Sequence, residues 1–337
     1  MKNAIKFTVA FLIGLSLFYF FVKEAGFEVI LNSLELFLNF KGALIILLSF
    51  FIIFFGAVRW RMIIRTTGDD VPLILALRYH IKGFTVDYLT PFAFFGGEAV
   101  RIFLLEKKIG MQKSAFAAVT DKIIGITTHF LIFFVGIILF LFYGLKQYNL
   151  LFFYSILALI IIFGLLFIFY FQALRKKSFL KLLFFFFSGF KKFFKENHNG
   201  KNIIAIEKKI LNFFSGSKKQ LFKIILMSFI VNIFYFLRIL LVLYFISGIF
   251  NIVFVFIIYG LVMLSMFLPL PAAIGGMEVV LGVGFGILGI GVFYGIMMAI
   301  IIRSADLFIS SLGIILFLKM SLSSFLKEFR LFLNRNS

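Results

Sequence analysis

Residues 89–110 read LTPFAFFGGEAVRIFLLEKKIG. The run is apolar enough to lie in a membrane, yet its middle carries Pro91, the adjacent Gly96 and Gly97, then Glu98 and Arg101. Pro91 lacks a backbone donor and ends an incoming helix, and the glycine pair permits backbone angles closed to other residues. In hydrocarbon a free N–H or C=O costs several kcal/mol, so such a break survives only inside protein or against a wet cavity. A helix restarting near Glu98 would aim its free N–H groups and positive dipole end at the break, an arrangement that holds anions such as phosphate.

The same grammar returns in the second half. PLPAAIGGME (269–278) matches TPFAFFGGE (90–98) in its prolines, its small residues, its glycine pair (Gly275, Gly276) and its acid, Glu278. Each stretch is followed by Ile-Gly, at 109–110 and 290–291, and then by an apolar run holding charge: Asp121 and Lys122 in one, Arg303 and Asp306 in the other. Paired interruptions in matching places are the sequence sign of an inverted repeat and point to a binding site at the bilayer midplane.

Composition sets the class. The chain is 63% hydrophobic with a mean hydropathy of +1.14, against roughly 45–50% apolar in soluble domains. It reads as a single all-α polytopic membrane domain over 1–337. About 20 apolar residues span a bilayer, which gives six full spans at about 5–22, 42–58, 120–143, 150–173, 224–246 and 292–318. Basic residues set the sides. Lys2 and Lys6 start inside; Arg59, Arg61 and Arg65 follow the second span; Lys107, Lys108 and Lys113 precede the third. Both ends of 66–113 therefore face the cytoplasm, and its apolar parts, 71–95 and 99–105, enter and return as a re-entrant hairpin. The pieces 252–268 and 277–290 form a second hairpin entered from outside, with two consecutive full crossings as the alternative. Repeat one then covers about 42–143 and repeat two about 224–318. Both termini are cytoplasmic, in a multi-pass protein of the plasma membrane.

The net charge is +20. Residues 174–223 hold 13 of the 34 Lys and Arg but only Glu196 and Glu207 as acids, so this is a basic cytoplasmic loop. Its segment FLKLLFFFFSGFKKFFK (179–195) suits the headgroup layer of an anionic leaflet. No recognition motif accompanies the charge, so nucleic acid is excluded as a partner.

Charges inside spans carry more weight, because each costs at least roughly 2.5–3.5 kcal/mol at the bilayer centre. Arg303 and Asp306 can pair at i,i+3, as can Glu98 and Arg101. Arg238 has no acid nearby in sequence and needs a distant acid or a lipid phosphate. Whether these groups close on one another or line a cavity stays open at this level. Gly284-x-Gly286-x-x-Gly289 mimics a dinucleotide fingerprint, but no strand precedes it. Close packing explains it better, as it does Gly282/Gly286 and Gly291/Gly295. His80, His129 and His198 lack metal spacing; His129 reads as a hydrogen-bonded packing residue. No cofactor or metal is expected, and the absence of Cys removes thiolate chemistry.

TPFAFFGGEAVR (90–101), IGMQKSAFAAVTDKIIG (109–125) and LPLPAAIGGMEVVLG (268–282), leading to the arginine of IIIRSADLF (300–308), together resemble the flippase-like transmembrane domain of lysylphosphatidylglycerol synthases and their stand-alone homologues. The resemblance runs from about residue 5 to 320. It implies translocation of a headgroup-bearing lipid between leaflets, with functional positions at Gly97, Glu98, Arg101, Asp121, Lys122, Gly275, Gly276, Glu278 and Arg303. Aminoacylating members carry a soluble synthase domain, and this chain ends within about twenty residues of its last span, so synthase activity is not expected. The expected ligand is an anionic phospholipid or a polyprenyl-phosphate lipid, with a second copy of the chain or a separate synthase as macromolecular partners. The binding set is Gly96, Gly97, Glu98, Arg101, Asp121, Lys122, Arg238, Gly275, Gly276, Glu278, Arg303 and Asp306. The arginines would hold phosphate, while Glu98 and Asp121 gate it or meet a cationic headgroup. The alternative is an integral-membrane transferase acting on a polyprenyl-phosphate-linked sugar or a phospholipid, with Glu98 or Asp121 as general base.

Overall fold

A computed structural model describes residues 12, 15–20, 22–24, 26–90, 96–144, 164, 200–266, 270 and 274–318. The expected span 150–173, most of 5–22, the two tips at 91–95 and 267–273 (apart from Leu270), and the Phe-rich loop segment 179–195 lie outside them. Among the described residues every regular element is a helix: α1 (Glu28–Leu38), α2 (Phe40–Arg65), α3 (Leu73–Leu89), α4 (Gly96–Ile109), α5 (Met111–Gly144), α6 (Gly200–Phe214), α7 (Lys218–Ser247), α8 (Ile252–Met266), α9 (Gly276–Ile287) and α10 (Val292–Leu318). Four of these, α2, α5, α7 and α10, are long and apolar enough to cross a membrane. They coincide with four of the expected spans; α10 has the expected bounds, while α2, α5 and α7 run longer, with Arg59, Arg61 and Arg65 inside α2 and Lys113 inside α5 rather than in flanking loops.

The surface identifies the solvent of these helices. On α5 the exposed residues Leu131, Val135, Ile138 and Phe142 recur at helical spacing, and on α7 Phe222, Leu226, Phe229, Ile233 and Leu237 do the same. The interior meanwhile buries Arg59, Glu98, Arg101, Asp121, Arg238, Glu278 and Asp306. Apolar stripes outward and charges inward suit lipid rather than water.

Helix ends fall where the sequence breaks. Thr90 leaves α3 in an extended conformation (φ −99°, ψ 145°), and α4 restarts at Gly96. Gly275, at φ +77°, opens α9 in a conformation that favours glycine. The pieces on either side, α3 with α4 and α8 with α9, pack against each other.

Packing comes in matched sets. Within α2–α5, the first helix packs on the second and fourth, the second on the third, and the third on the fourth; α7–α10 repeat the list. Across the halves, α2 packs on α7, while α3 packs on α10 and α8 on α5. Glycine brings two of these crossings to backbone distance: a side chain on Gly136 would strike the Phe256 carbonyl, and one on Gly313 would strike Thr85. In the dinucleotide look-alike, Gly284 faces Leu261 and Gly286 faces Val292, while Gly289 is a positive-φ turn residue. Gly282 and Gly295 mark the α9–α10 contact as expected, whereas Gly291 (φ +111°) serves the turn instead.

Candidate functional site

Two ion networks occupy the core. In the first half Asp121 of α5 accepts from Arg59 Nε of α2 at 2.7 Å and from Arg101 Nη1 of α4 at 2.8 Å. Arg101 Nη2 also bonds Glu98 at 2.9 Å, the anticipated i,i+3 pair. Lys122 Nζ lies 3.0 Å from Glu98 and 3.5 Å from Asp87. Asp87 in turn accepts the Gly97 backbone N–H at 2.7 Å. This amide in the first turn of the restarted helix is thus capped by a carboxylate rather than open to phosphate, a correction to the sequence expectation. It is reached because Gly83 and Gly97 let α3 and α4 approach closely: a Cβ on Gly97 would stand 2.6 Å from Asp87 Oδ2. Arg101 lies over the Trp60 ring, 5.2 Å from its centroid, and donates to His80 Nδ1 at 3.3 Å, which makes that nitrogen the unprotonated one.

In the second half Asp306 of α10 accepts from Arg238 Nη1 of α7 at 2.5 Å. Arg303 bonds Glu278 at the start of α9. The i,i+3 pair Arg303–Asp306 read from the sequence does not form. A pair within one helix is worth only about 0.2–0.5 kcal/mol, whereas these two crossings leave neither Arg238 nor Glu278 as a lone buried charge. The distant acid that Arg238 required is Asp306.

The halves share a cross-brace invisible to a span-by-span reading. Arg59 Nη1 donates to Ser228 of α7 at 2.7 Å, and Arg238 Nη1 donates to Ser49 of α2 at 3.0 Å. Serine precedes arginine by ten positions on both helices (49 to 59, 228 to 238). Tyr88 of α3 adds a third link, donating to the Arg303 carbonyl at 3.0 Å.

Between the networks lies a cavity of about 220 Å³, whose wall includes Arg59, Asp87, Glu98, Arg101, Asp121, Lys122, Arg238 and Asp306, with Phe84, Tyr88, Tyr235 and Met266. Six of the twelve residues singled out from sequence therefore meet around one space. Gly96, Gly97, Gly275, Gly276, Glu278 and Arg303 stand behind it, at the helix starts and the α9–α10 pair. Arg59, His80, Asp87 and Tyr88 are wall residues that the sequence reading missed. Arg59 had counted only as a topology signal, although its ten-residue spacing from Ser49 was available.

Every arginine of the two networks has a carboxylate partner. Five cations (Arg59, Arg101, Lys122, Arg238, Arg303) face five carboxylates (Asp87, Glu98, Asp121, Glu278, Asp306). Compensation is incomplete at the level of atoms. Glu98 Oε2, Glu278 Oε2, Arg238 Nε and Arg303 Nε are buried without a hydrogen-bond partner. His129 is hydrogen-bonded as anticipated but also lines the cavity: Tyr259 donates to Asn232 at 2.6 Å, so His129 Nδ1 must supply the proton in its 2.5 Å contact with the Tyr259 oxygen.

Neither a curated protein nor a solved structure matches the chain. One family does, over residues 7–313, and those residues hold both networks, the cavity and both glycine-pair helix starts. On that match the chain belongs to the lysylphosphatidylglycerol synthase TM region family.

Proposed function

We propose that this membrane protein carries a phosphate-bearing lipid headgroup between leaflets, through the cavity between its two halves. The halves are read as an inverted repeat, each built of span, re-entrant hairpin and span, with both termini cytoplasmic in the plasma membrane. Matched packing supports the repeat: α2 meets its counterpart α7, and each hairpin's first arm meets the other half's last span. The observation that carries the function is the cavity itself, whose wall brings together Arg59, Arg101, Lys122 and Arg238 from four helices.

Its volume is below the roughly 300–1,000 Å³ of small-molecule pockets. A headgroup fits this conformation and acyl chains do not, so the chains stay in the bilayer during passage. A buried charge is tolerated when paired, so an incoming phosphate takes a cation from a carboxylate, and the freed carboxylate needs another partner. Lys122, shared between Glu98 and Asp87, is the cation most easily reassigned. Such exchange keeps the interior neutral while the headgroup moves. The transferase reading is weaker, because Asp121 is held by two guanidinium groups and Glu98 by Arg101 and Lys122, poor settings for a general base.

The test is a leaflet-exchange assay in proteoliposomes containing fluorescent phosphatidylglycerol or a polyprenyl phosphate. Protein-dependent movement is expected, and its loss in Lys122→Met. Movement no faster than in protein-free vesicles, for both lipids, would sink the proposal.

A further inference from the structure

A second hollow, of about 480 Å³, lies at the lysine-rich end, where α2 stops, α5 starts and the turn between α6 and α7 passes. Thr66, Thr67, Lys113, Lys209, Ser217 and Gln220 contribute to its wall, and among the described residues no carboxylate lines it. Further along the same α5–α7 seam runs an apolar groove of about 180 Å³, bounded by Ile124, Thr127, Leu131, Leu221, Ile225 and Phe229. Leu131 and Phe229 belong to the outward stripes, so the groove opens to lipid.

The two spaces are continuous in register. On α5, Lys113 and Phe116 border the polar hollow and Ile124, Thr127 and Leu131 the groove. Phe116 to Leu131 is about 22 Å at 1.5 Å per residue. A single leaflet contributes about half of a 30 Å hydrocarbon core plus its headgroup layer. The cationic hydroxyl-rich cup and the apolar groove beyond it, about 10 Å of it along Ile124–Leu131, together reach one-leaflet depth and follow the polarity order of one phospholipid.

We propose that the α5–α7 seam binds one anionic phospholipid of the leaflet at the basic end, with its phosphate at Lys113 and Lys209 and an acyl chain along Ile124–Leu131. Lys113 also bonds Asp69 at 2.8 Å, but both side chains are partly exposed (41% and 28%), and such pairs are weak. Among the described residues, Lys209 bonds the neutral Gln112 amide oxygen, at 3.2 Å. The phosphate therefore adds to both cations without stripping a buried partner. The seam also touches the central network. Thr128, on the groove wall, is 2.8 Å from the Ser228 hydroxyl that accepts Arg59. The site thus goes beyond the translocation reading and stands without it, while its position suits a lateral entry.

Native mass spectrometry of the delipidated full chain tests this with dioleoylphosphatidylglycerol, dioleoylphosphatidylcholine and glycerol phosphate as separate probes. One phosphatidylglycerol should bind per chain. Its affinity should fall at least tenfold in K113E/K209E and in the groove-filling Thr127→Trp, and survive in K113R/K209R. Equal retention of phosphatidylcholine, glycerol phosphate binding as tightly as the lipid, or unchanged affinity in the charge-reversed variant would each overturn it. Size-exclusion profiles matching wild type exclude unfolding as the cause. Arg59→Lys separates the two ideas: it should slow leaflet exchange yet leave the seam lipid bound.

Discussion

In the first half Asp121 answers two arginines, Arg59 and Arg101; in the second, Asp306 answers one, Arg238. The remaining geometry corresponds closely. Each first span sends an arginine to the aspartate of its own last span, and that last span sends a cation (Lys122 or Arg303) back to the glutamate at the third position of the restarted helix. Three residues beyond Glu98 stands Arg101; three beyond Glu278 stands Leu281, fully buried. One extra guanidinium turns a closed pair into a branched network, and a further acid, Asp87, joins it. The cavity follows that branching, taking six charged wall residues from the first half and two from the second. The charged wall of the cavity thus comes mostly from one half.

The largest effect therefore belongs to Asp121. Breaking a buried pair by removing one partner costs about 3–5 kcal/mol, and Asp121→Ala takes a partner from two arginines, leaving Arg59 without a carboxylate and Arg101 with Glu98 alone, where Asp306→Ala affects Arg238. Asp121→Ala should fail to yield monodisperse protein, while Asp306→Ala survives with a lowered unfolding midpoint. Equal losses in detergent denaturation would show that the halves bear the same load. Arg101→Leu makes the first half resemble the second. Asp121 keeps Arg59 and Glu98 keeps Lys122, so no carboxylate is left alone and the cost should stay below the about 3–5 kcal/mol of a stranded buried charge. Leaflet exchange should nevertheless drop at least tenfold. An Arg101→Leu variant with wild-type exchange would remove the branch from the mechanism.

The cross-brace measures the likeness rather than the difference. Hydrogen bonds to charged groups are worth about 1.5–3 kcal/mol, so Ser49→Ala and Ser228→Ala should each cost that much, and nearly the same amount. A gap wider than about 1 kcal/mol between their unfolding free energies would mean that one arginine depends on its serine and the other does not.

This brace also marks the limit of what the chain reveals by inspection. The breaks at 90–98 and 269–278 were legible because proline and paired glycines act locally, on their own backbone. The i,i+3 pair Glu98–Arg101 was legible for the same reason, since both partners share one helix. Arg303–Asp306 obeyed the same spacing and still paired elsewhere, because choice of partner is settled across helices whose rotation no spacing reports. Asp87 went unread inside the apolar stretch 71–95, and Arg59 was set aside as a loop charge because the span was closed one residue too early. The residues that gather around the cavity were thus half visible: charges standing within or beside an apolar run (Glu98, Arg101, Asp121, Lys122, Arg238, Asp306) were found, and those taken for a loop charge, a lone histidine or part of an apolar stretch (Arg59, His80, Asp87, Tyr88) were not.

The smallest expected effect lies where the first and second helices of each half connect. In the second half the connection is neutral: Gly248 (φ +71°) ends α7, and Asn251 accepts the Val253 N–H at 2.9 Å. In the first half Asp70 accepts from Arg61 and Arg65 at 3.0 and 2.9 Å. Those hydrogen bonds, Arg65 foremost, hold the Asp70 carboxyl well below the usual carboxylate range, and Lys113 does the same less strongly for Asp69. All these groups meet solvent, so Asp70→Asn should lower the unfolding midpoint only slightly at neutral pH, by the same small amount that wild type loses when Asp70 is protonated. Acid separates the two connections. A depressed folded-state pKa contributes stability that is present above the ordinary carboxylate value near 3.9 and is lost as pH falls below it. Wild type should then lose more stability between about pH 4 and 2 than Asp70→Asn does, while Asn251→Ala, which changes no titrating group, should keep the wild-type pH slope. Identical acid slopes in wild type and Asp70→Asn would mean that the arginine clamp contributes nothing the neutral turn of the other half lacks.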